Sequence, residues 1–326
     1  QTSKKLNCVF SVWSRALLER IIYITKKKKR NIIIATHGSD EEFNDQYTEA
    51  INGIPSDEMH RKTWFCADYS EWDSRFRHMF VEVMGELLVA AGCNESLVAE
   101  YTQFRKKWVM TAINYRSAGT TKLYGEEKKF SGDPFTICEN TLMNMMLTFS
   151  AFEFEDVSLS LFKGDDSAIL CRSAYERDNL PFTSRNVQKN ILKITGHKIK
   201  VSTHKAGEFA GFILTPYGLF PDVLRAVVKH LGKDYRDKQH MNEARESLKA
   251  RMSVVKTETQ RQVGAHYCSQ HYADIGMAIN NEEVLLLLNF MHSASKHEYV
   301  FSKDIRKDKQ HQDGALVKML TRIYPL

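Results

Sequence analysis

The sequence lacks the features of a membrane-spanning or disulfide-bonded protein. Its longest purely apolar runs, such as Val284 to Leu288, are far shorter than the about 20 residues that a transmembrane helix needs. The six cysteines are scattered and form no Cys-x-x-Cys pair, which favours a reducing compartment over a disulfide scaffold. The chain also has no leader of the signal-peptide type, and because it opens with Gln1 we expect it to be a piece of a longer protein.

The composition is that of a globular protein with a modest excess of positive charge. The 326 residues are 43% hydrophobic and 26% charged, and this length suggests about two folding units. Residues 1–163 contain 21 basic and 22 acidic residues, against 25 and 18 in residues 164–326. The excess is compatible with a phosphate-bearing partner but does not require one. The run from Lys26 to Arg30 is open to two interpretations, a nucleic-acid contact or a solvated surface segment.

Hydrophobic periodicity predicts a mixture of helices and strands. The predicted helices cover residues 9–25, 41–52, 74–91, 95–113, 136–152, 184–195 and most of the chain after 223. The predicted strands cover residues 63–67, 157–161, 168–170, 198–201 and 209–214, with a loop or hairpin over 114–130.

The first group of chemically active residues is Asp68 with Asp73, in the segment ADYSEWDSRF. A carboxylate at the end of a buried strand is exposed where a cation can reach it, and a second one five residues later can face the same cleft. The alternative is an ordinary turn in which Asp73 caps a helix.

The second group is Gly164-Asp165-Asp166, between two apolar strands. Two adjacent acids at a tight turn repel each other, and a divalent cation relieves that repulsion because Mg²⁺ and Mn²⁺ prefer oxygen ligands. The alternative is a polar turn in solvent.

The third group is Ser131-Gly132 followed by Thr136 and Asn140. Thr136 and Asn140 are four residues apart and share one helix face, where hydroxyl and amide groups can bind a sugar or phosphate. A capped helix start is the alternative. If the strands of Asp68 and Asp165 are neighbours, their carboxylates can hold two metal ions about 3.5–4 Å apart, as phosphoryl transfer requires.

The order DYSEWD, KKFSGDPFTICENT and FKGDDSAIL resembles motifs A, B and C of viral RNA-dependent RNA polymerases of the alphavirus-like supergroup, most closely the hepevirus-type enzymes. Residues 197–201 are similar to motif D, and residues 208–214 with 220–223 are similar to motif E and the entry to the thumb. The resemblance covers roughly residues 1–235. Residues 1–13 resemble the segment just after the basic motif F, so most of that motif would precede Gln1 and the fragment alone would have incomplete fingers.

The resemblance implies an α+β right-hand polymerase, with an antiparallel palm sheet flanked by helices, partial fingers and a helical thumb. Residues 1–62 would be the C-terminal part of the fingers, and residues 63–222 the palm, with a fingers insertion around 92–127. Residues 223–326 would form the thumb.

The resemblance also implies roles for individual residues. Asp68 and Asp165 would bind two Mg²⁺ or Mn²⁺ ions, supported by Asp166. The incoming ribose 2′-hydroxyl would be read by Asp73, Ser131, Thr136 and Asn140, and Gly132 would let the motif B loop move. Lys200 is the expected general acid for the leaving pyrophosphate, with Lys198 and Lys205 as rivals.

The implied function is RNA-templated RNA synthesis from NTPs, replicating and transcribing a positive-strand RNA virus genome. The expected partners are template RNA, the nascent strand and other domains of a replicase polyprotein, and the expected location is the host cytoplasm, in membrane-associated replication complexes. Three alternatives are a reverse transcriptase, an RNA-binding palm without turnover, and a zinc protein. The zinc interpretation rests on the close spacing of His266, Cys268 and His271, although no second ligand pair follows at the usual spacing.

Overall fold

The structure is a computed structural model. It describes residues 4–28, 31–36, 38–55, 58, 62–69, 72, 78–114, 119–126, 135–151, 157–172, 189, 193 and 199–293. The chain divides into two compact units, the first containing residues 1–36, 67–167 and 175–202 and the second the remainder. Apart from residues 189 and 193, the helix predicted over 184–195 lies outside the described residues.

The helices agree in large part with the periodicity of the sequence. They are α1 (Lys4–Lys28), α2 (Asp40–Asn52), α3 (His78–Ala90), α4 (Glu95–Lys106), α5 (Thr136–Ala151), α6 (Val223–Leu231), α7 (Lys238–Arg251), α8 (Glu258–Asp274) and α9 (Asn281–His292). The predictions over 9–25, 41–52 and 136–152 are confirmed, and so is the helical region after 223 as far as residue 293, where the described residues end. Across the part of the chain that is described, none of the helices is long and apolar enough to cross a bilayer.

Several helices begin at side chains that satisfy their free main-chain N–H groups. Ser39 accepts a hydrogen bond from the N–H of Glu42, whose carboxylate accepts one from the N–H of Ser39 in return. Thr257 and Asn280 start α8 and α9 with the same reciprocal arrangement. Such caps each stabilise a helix by roughly 1 kcal/mol, so these starts are encoded locally.

The largest sheet has five strands in the order β1-β5-β6-β2-β7. They are β1 (Ile32–Ile34), β2 (Lys62–Tyr69), β5 (Val157–Lys163), β6 (Asp166–Arg172) and β7 (Ile199–His204). The sheet was predicted to be antiparallel. It is instead mixed, because β1 pairs in parallel with β5. The domain boundaries stay a prediction, although β1 comes from the range assigned to the fingers and pairs with a palm strand.

The prediction of one helix over 95–113 was wrong in its second half. Helix α4 ends at Lys106, and Lys107–Asn114 form β3, which pairs antiparallel with β4 (Gly119–Glu126). The segment contains Trp108, Val109 and Ile113, and aromatic and β-branched residues favour a strand once a partner strand is present. The hairpin predicted for 114–130 therefore begins seven residues earlier.

Each compact unit has its own core. In the first, the ring of Phe10 lies 4.8 Å from that of Tyr101 and 6.0 Å from that of Phe135, which joins α1, α4 and the start of α5. In the second, the small strands β8 (Glu208–Phe209), β9 (Phe212–Thr215) and β10 (Gly218–Pro221) form an antiparallel sheet. Buried side chains of α6, α8 and α9 pack together with residues of that sheet. The mixture of helices and sheets confirms the predicted α+β class.

Candidate active site

Asp68 lies at the carboxyl end of β2, in a strand whose burial decreases along its length. Residues 62–65 are buried, Cys66 and Ala67 are half-buried, and Asp68 is exposed. The next residue, Tyr69, points back into the interior and is only 4% exposed. The buried first half of the strand thus anchors an exposed carboxylate, as the sequence predicted.

Asp165 lies in the tight turn between β5 and β6, and Asp166 is the first residue of β6. Gly164 has a φ of 63°, in the left-handed region that suits glycine at the first position of a two-residue hairpin turn. Asp165 is half-buried and Asp166 is exposed. The predicted hairpin with carboxylates at its tip is confirmed.

Strand order brings the Asp68 strand next to the Asp165 hairpin, since β6 is the direct neighbour of both β5 and β2. The first compact unit contains residues 67–69 of β2 and residues 166–167 of β6. The carboxyl end of β2 and the amino end of β6 therefore belong to the same compact unit. In the described portion of the chain, no three His, Cys, Asp or Glu side chains converge into a metal-binding group.

Helix α5 carries two of the predicted sugar-binding residues. Thr136, the first residue of the helix, is half-buried, and Asn140, one turn later, is 7% exposed. Asp73, Ser131 and Gly132 lie outside the described residues, so their predicted roles stay predictions.

The same helix also contacts the aspartate turn, through residues that were not among the predicted site residues. The N–H of Gly164 donates to Thr141 Oγ1 at 2.9 Å, and Asn144 Nδ2 donates to the carbonyl oxygen of Gly164 at 3.1 Å. Both side chains are fully buried. Their sequence signal is weak: Asn144 and Thr148 are polar residues four apart in a helix otherwise rich in Met and Leu.

A buried ion pair fixes α5 against α4. Arg105 Nη1 lies 3.2 Å from Glu139 Oε2, and their side chains are 4% and 0% exposed. Arg105 also donates to the hydroxyl of Tyr101 at 2.6 Å. Since breaking a buried pair leaves an uncompensated charge, this contact resists any displacement of the helix beside Asn140.

The three lysines considered for the general acid differ in their surroundings. Lys200 is exposed near the amino end of β7. Lys205 Nζ donates to the carbonyl oxygen of Lys62 and to Thr63 Oγ1, both at 3.3 Å. Lys198 lies outside the described residues. Of the two described lysines, Lys200 belongs to the first compact unit and Lys205 to the second.

The zinc interpretation does not fit α8. His266 is exposed whereas Cys268 is buried, so the two side chains lie on different faces of the helix. Burial also raises the pKa of the Cys268 thiol, with a contribution from the charge of Asp222, and so disfavours the thiolate that binds zinc. His271 Nδ1 lies 2.9 Å from the carbonyl oxygen of Ala206.

The fold is that of a viral polymerase. The crystal structure of the RNA-dependent RNA polymerase of a human picorbirnavirus superimposes with a TM-score of 0.51 at 14% identity, covering 86% of this chain and 55% of the other. The predicted right-hand polymerase fold is thereby confirmed.

The chain belongs to the RNA dependent RNA polymerase family, whose sequence profile matches residues 2–297. It is similar to the non-structural polyprotein pORF1 of swine hepatitis E virus genotype 3, at 29% identity over 224 residues. It is also similar to the same polyprotein of avian hepatitis E virus, at 28% identity over 247 residues. These matches cover 68% and 72% of this chain but only 12% and 15% of the polyproteins. The predicted hepevirus-type resemblance is confirmed, and the reverse transcriptase alternative is set aside.

Proposed function

We propose that the protein containing this chain is an RNA-directed RNA polymerase that transfers NMP from NTP to an RNA 3′-hydroxyl. The observation that carries the proposal is that Asp68 and the Asp165–Asp166 turn belong to neighbouring strands of one sheet and to the same compact unit, in a chain of this family. Carboxylates that are far apart in the sequence but lie on neighbouring strands can together form a two-metal site for in-line displacement.

The residues present fit divalent cations. Asp68 and Asp166 are exposed and Asp165 is half-buried, so a cation and a triphosphate can reach all three. Mg²⁺ in polymerases is typically held by one or two carboxylates together with substrate phosphates and water, so a preformed cluster of three protein ligands is not required. When bound, two Mg²⁺ or Mn²⁺ ions would neutralise phosphate charge and favour ionisation of the 3′-hydroxyl.

The chain's own residues would orient the substrates. Asp68 and Asp165 would hold the ions in place, with Asp166 near the primer end. Thr136 and Asn140, together with Asp73 and Ser131, would offer hydrogen-bond partners to a ribose 2′-hydroxyl, and Gly132 would give the preceding loop freedom during translocation. Lys200 would donate a proton to the leaving pyrophosphate. A site built to bind a hydroxyl group rejects the deoxy sugar because its polar groups then stay unpaired.

The partners follow from this reaction. They are template RNA, the nascent strand, NTPs and the other domains of a viral replicase polyprotein. The reaction would replicate and transcribe a positive-strand RNA genome in the host cytoplasm, within membrane-associated complexes. RNA binding through phosphate contacts would weaken steeply with salt. A binding constant that does not change between low and high salt would contradict a channel that follows the RNA backbone.

The test is primer extension by this chain and by an N-terminally extended version, with Mg²⁺ and Mn²⁺ compared. Asp165→Asn removes a metal ligand with little change in shape and should lower incorporation about a hundred- to ten-thousandfold, because such a ligand contributes several kcal/mol to the transition state. Asp234→Asn, which changes an exposed carboxylate between α6 and α7, serves as the matched control and should be neutral. RNA binding should survive both changes.

Two outcomes would overturn this function. If Asp165→Asn incorporated nucleotide at the rate of the control, Asp165 would not be a metal ligand. RNA binding by the extended protein without incorporation, in either metal, would favour the RNA-binding palm without turnover.

A further inference from the structure

Two consecutive peptide groups lead to Asp165, and a side chain of α5 binds each of them. The peptide group between Lys163 and Gly164 donates its N–H to Thr141 Oγ1 at 2.9 Å. The peptide group between Gly164 and Asp165 accepts from Asn144 Nδ2 at 3.1 Å. Because the second group ends on the nitrogen of Asp165, these contacts fix the plane from which the Asp165 side chain extends.

These contacts are enclosed. Thr141 and Asn144 are both 0% exposed, and Gly164 is buried although it lies in a hairpin turn. A Cβ added at Gly164 would lie 3.4 Å from Ile137 Cδ1, so the helix packs directly on the turn. Water, which satisfies the main-chain groups of an exposed turn, has no access here, and a lost side-chain partner leaves a buried polar group unpaired.

The contacts extend toward the strand of Asp68. Thr148 Oγ1 donates to Asn144 Oδ1 at 3.2 Å, which turns the amide so that its N–H₂ faces Gly164. The Tyr69 side chain is buried and lies next to Thr148. Tyr69 directly follows Asp68 in β2. A line of buried polar side chains thus connects the segments that carry Asp68 and Asp165.

We propose that Thr141 and Asn144, together termed the turn clamp, are positioning residues that hold the Asp165 carboxylate in the geometry for metal binding. The proposal rests on the proposed polymerase function and deepens it. The turn clamp lies on the helix that carries Thr136 and Asn140, so one rigid element would set both the metal carboxylate and the sugar-binding groups. Reactions of this kind lose about a hundredfold in rate when reacting groups move by about 1 Å.

The test compares Thr141→Val, which keeps the shape but removes the acceptor, with Thr141→Ser, which keeps the hydroxyl. Thr141→Val should lower the single-turnover rate about 10- to 100-fold and raise the half-saturating Mg²⁺ concentration, with the KM for NTP changed by less than about twofold. Thr141→Ser should restore both values. Ser150→Ala is the matched control, because Ser150 lies on the same helix and donates only to Leu147 of that helix.

A metal-free measurement separates this inference from the proposed function. Amide hydrogen exchange at Gly164 should be at least about tenfold faster in Thr141→Val than in the wild type and the Ser150→Ala control, since the N–H has lost its acceptor. If Thr141→Val does not fold, Asn144→Leu, which removes the donor to the Gly164 carbonyl oxygen, is tested by the same rate and Mg²⁺ readouts.

The inference is overturned if Thr141→Val keeps wild-type exchange at Gly164 and wild-type dependence on Mg²⁺. It is also overturned if Thr141→Ser is as impaired as Thr141→Val. If the wild-type protein incorporates no nucleotide, the polymerase function fails, whereas the turn clamp is still tested by exchange and by Mn²⁺ binding followed by electron paramagnetic resonance. Weaker Mn²⁺ binding with faster exchange supports it, and unchanged values contradict it.

Discussion

Lys205 donates a hydrogen bond from Nζ to the main-chain carbonyl oxygen of Lys62, at 3.3 Å. Lys62 is the first residue of β2, and Asp68 lies six residues further along the strand, or about 20 Å away in extended geometry. The Lys205 ammonium is therefore bound at the opposite end of the strand from the proposed metal site. This relationship argues against Lys205 as the general acid and favours Lys200.

We expect Lys200→Met to lower kcat for nucleotide incorporation by about a hundredfold, at the lower end of the range for general acids. Lys205→Met should leave kcat within about twofold and instead lower stability, because it removes two hydrogen bonds to β2. Single-turnover kinetics and urea unfolding of both variants separate the two effects. If Lys205→Met lowered kcat and Lys200→Met did not, Lys205 would be the general acid instead.

Asn140→Ala should reduce the preference for NTP over dNTP. The buried amide is proposed to bind the 2′-hydroxyl, and losing one such hydrogen bond costs about 1–3 kcal/mol, or roughly 5- to 100-fold in discrimination. The measurement is the ratio of kcat/KM for each NTP and its dNTP. Asn242→Ala, at an exposed position of α7, is the control. If this NTP-to-dNTP ratio did not change, Asn140 would have no role in sugar recognition.

His204 should make the fold less stable in mild acid. Burial lowers its pKa from the usual 6.5, the charge of His271 adds to this, and Asp274 and Glu208 oppose it. The nearest Asp274 oxygen is 3.7 Å from Nδ1, too far for a hydrogen bond to compensate a charged imidazole. Because the unfolded chain binds the proton more readily, stability is full above the unfolded pKa of about 6.5 and falls as the pH drops below it.

Urea unfolding between pH 5 and 8 measures this effect. The decline in stability below pH 6.5 should be shallower in His204→Gln than in the wild type, since the variant lacks that titrating group. His292→Gln, near the end of α9, is a control that should keep the wild-type slope. Equal slopes in the wild type and His204→Gln would show that other groups dominate.

Gly264→Ala should destabilise the second compact unit even though alanine favours helices. A Cβ at Gly264 would come within 2.0 Å of Phe220 Cδ2, and Phe220 is 1% exposed and cannot move aside. Overpacking costs about 1–3 kcal/mol or more, against a gain of up to about 1 kcal/mol from helix propensity. The net loss of about 1–2 kcal/mol is measurable by urea unfolding.

Gly53→Ala is the control for this change. Gly53 has a φ of −75°, and its nearest Cβ neighbour is the Ala50 carbonyl oxygen at 3.4 Å. Its free energy of unfolding should change by no more than about 0.5 kcal/mol. Equal stability of Gly264→Ala and Gly53→Ala would mean that Phe220 can be displaced at no cost.

Local patterns were enough to predict the elements that carry the chemistry. The hairpin around Gly164 and the helix from Thr136 follow from alternation, helical periodicity and glycine punctuation. Residues 107–114 were misassigned because their sequence tolerates both conformations, and only the partner strand at 119–126 decides between them.

The neighbour relationships were beyond the reach of sequence patterns. That β6 lies beside β2, and that Thr141 and Asn144 meet Gly164, depends on how separate segments pack. Nothing in the periodicity distinguishes Asn144 from a polar residue that faces solvent. The resemblance to polymerases supplied roles for Asp68 and Asp165, but not for the side chains that support the turn.

The short strand β1 has a practical consequence for shortened versions of this protein. Its three isoleucines are buried, and they pair with Ser160, Leu161 and Phe162 along the outer side of β5. Deleting the first 36 residues would uncover a row of unpaired N–H and C=O groups beside apolar side chains, which is a template for intermolecular strand addition. A minimal catalytic fragment that started at motif A would therefore self-associate, and its insolubility would say nothing about the chemistry of its aspartates.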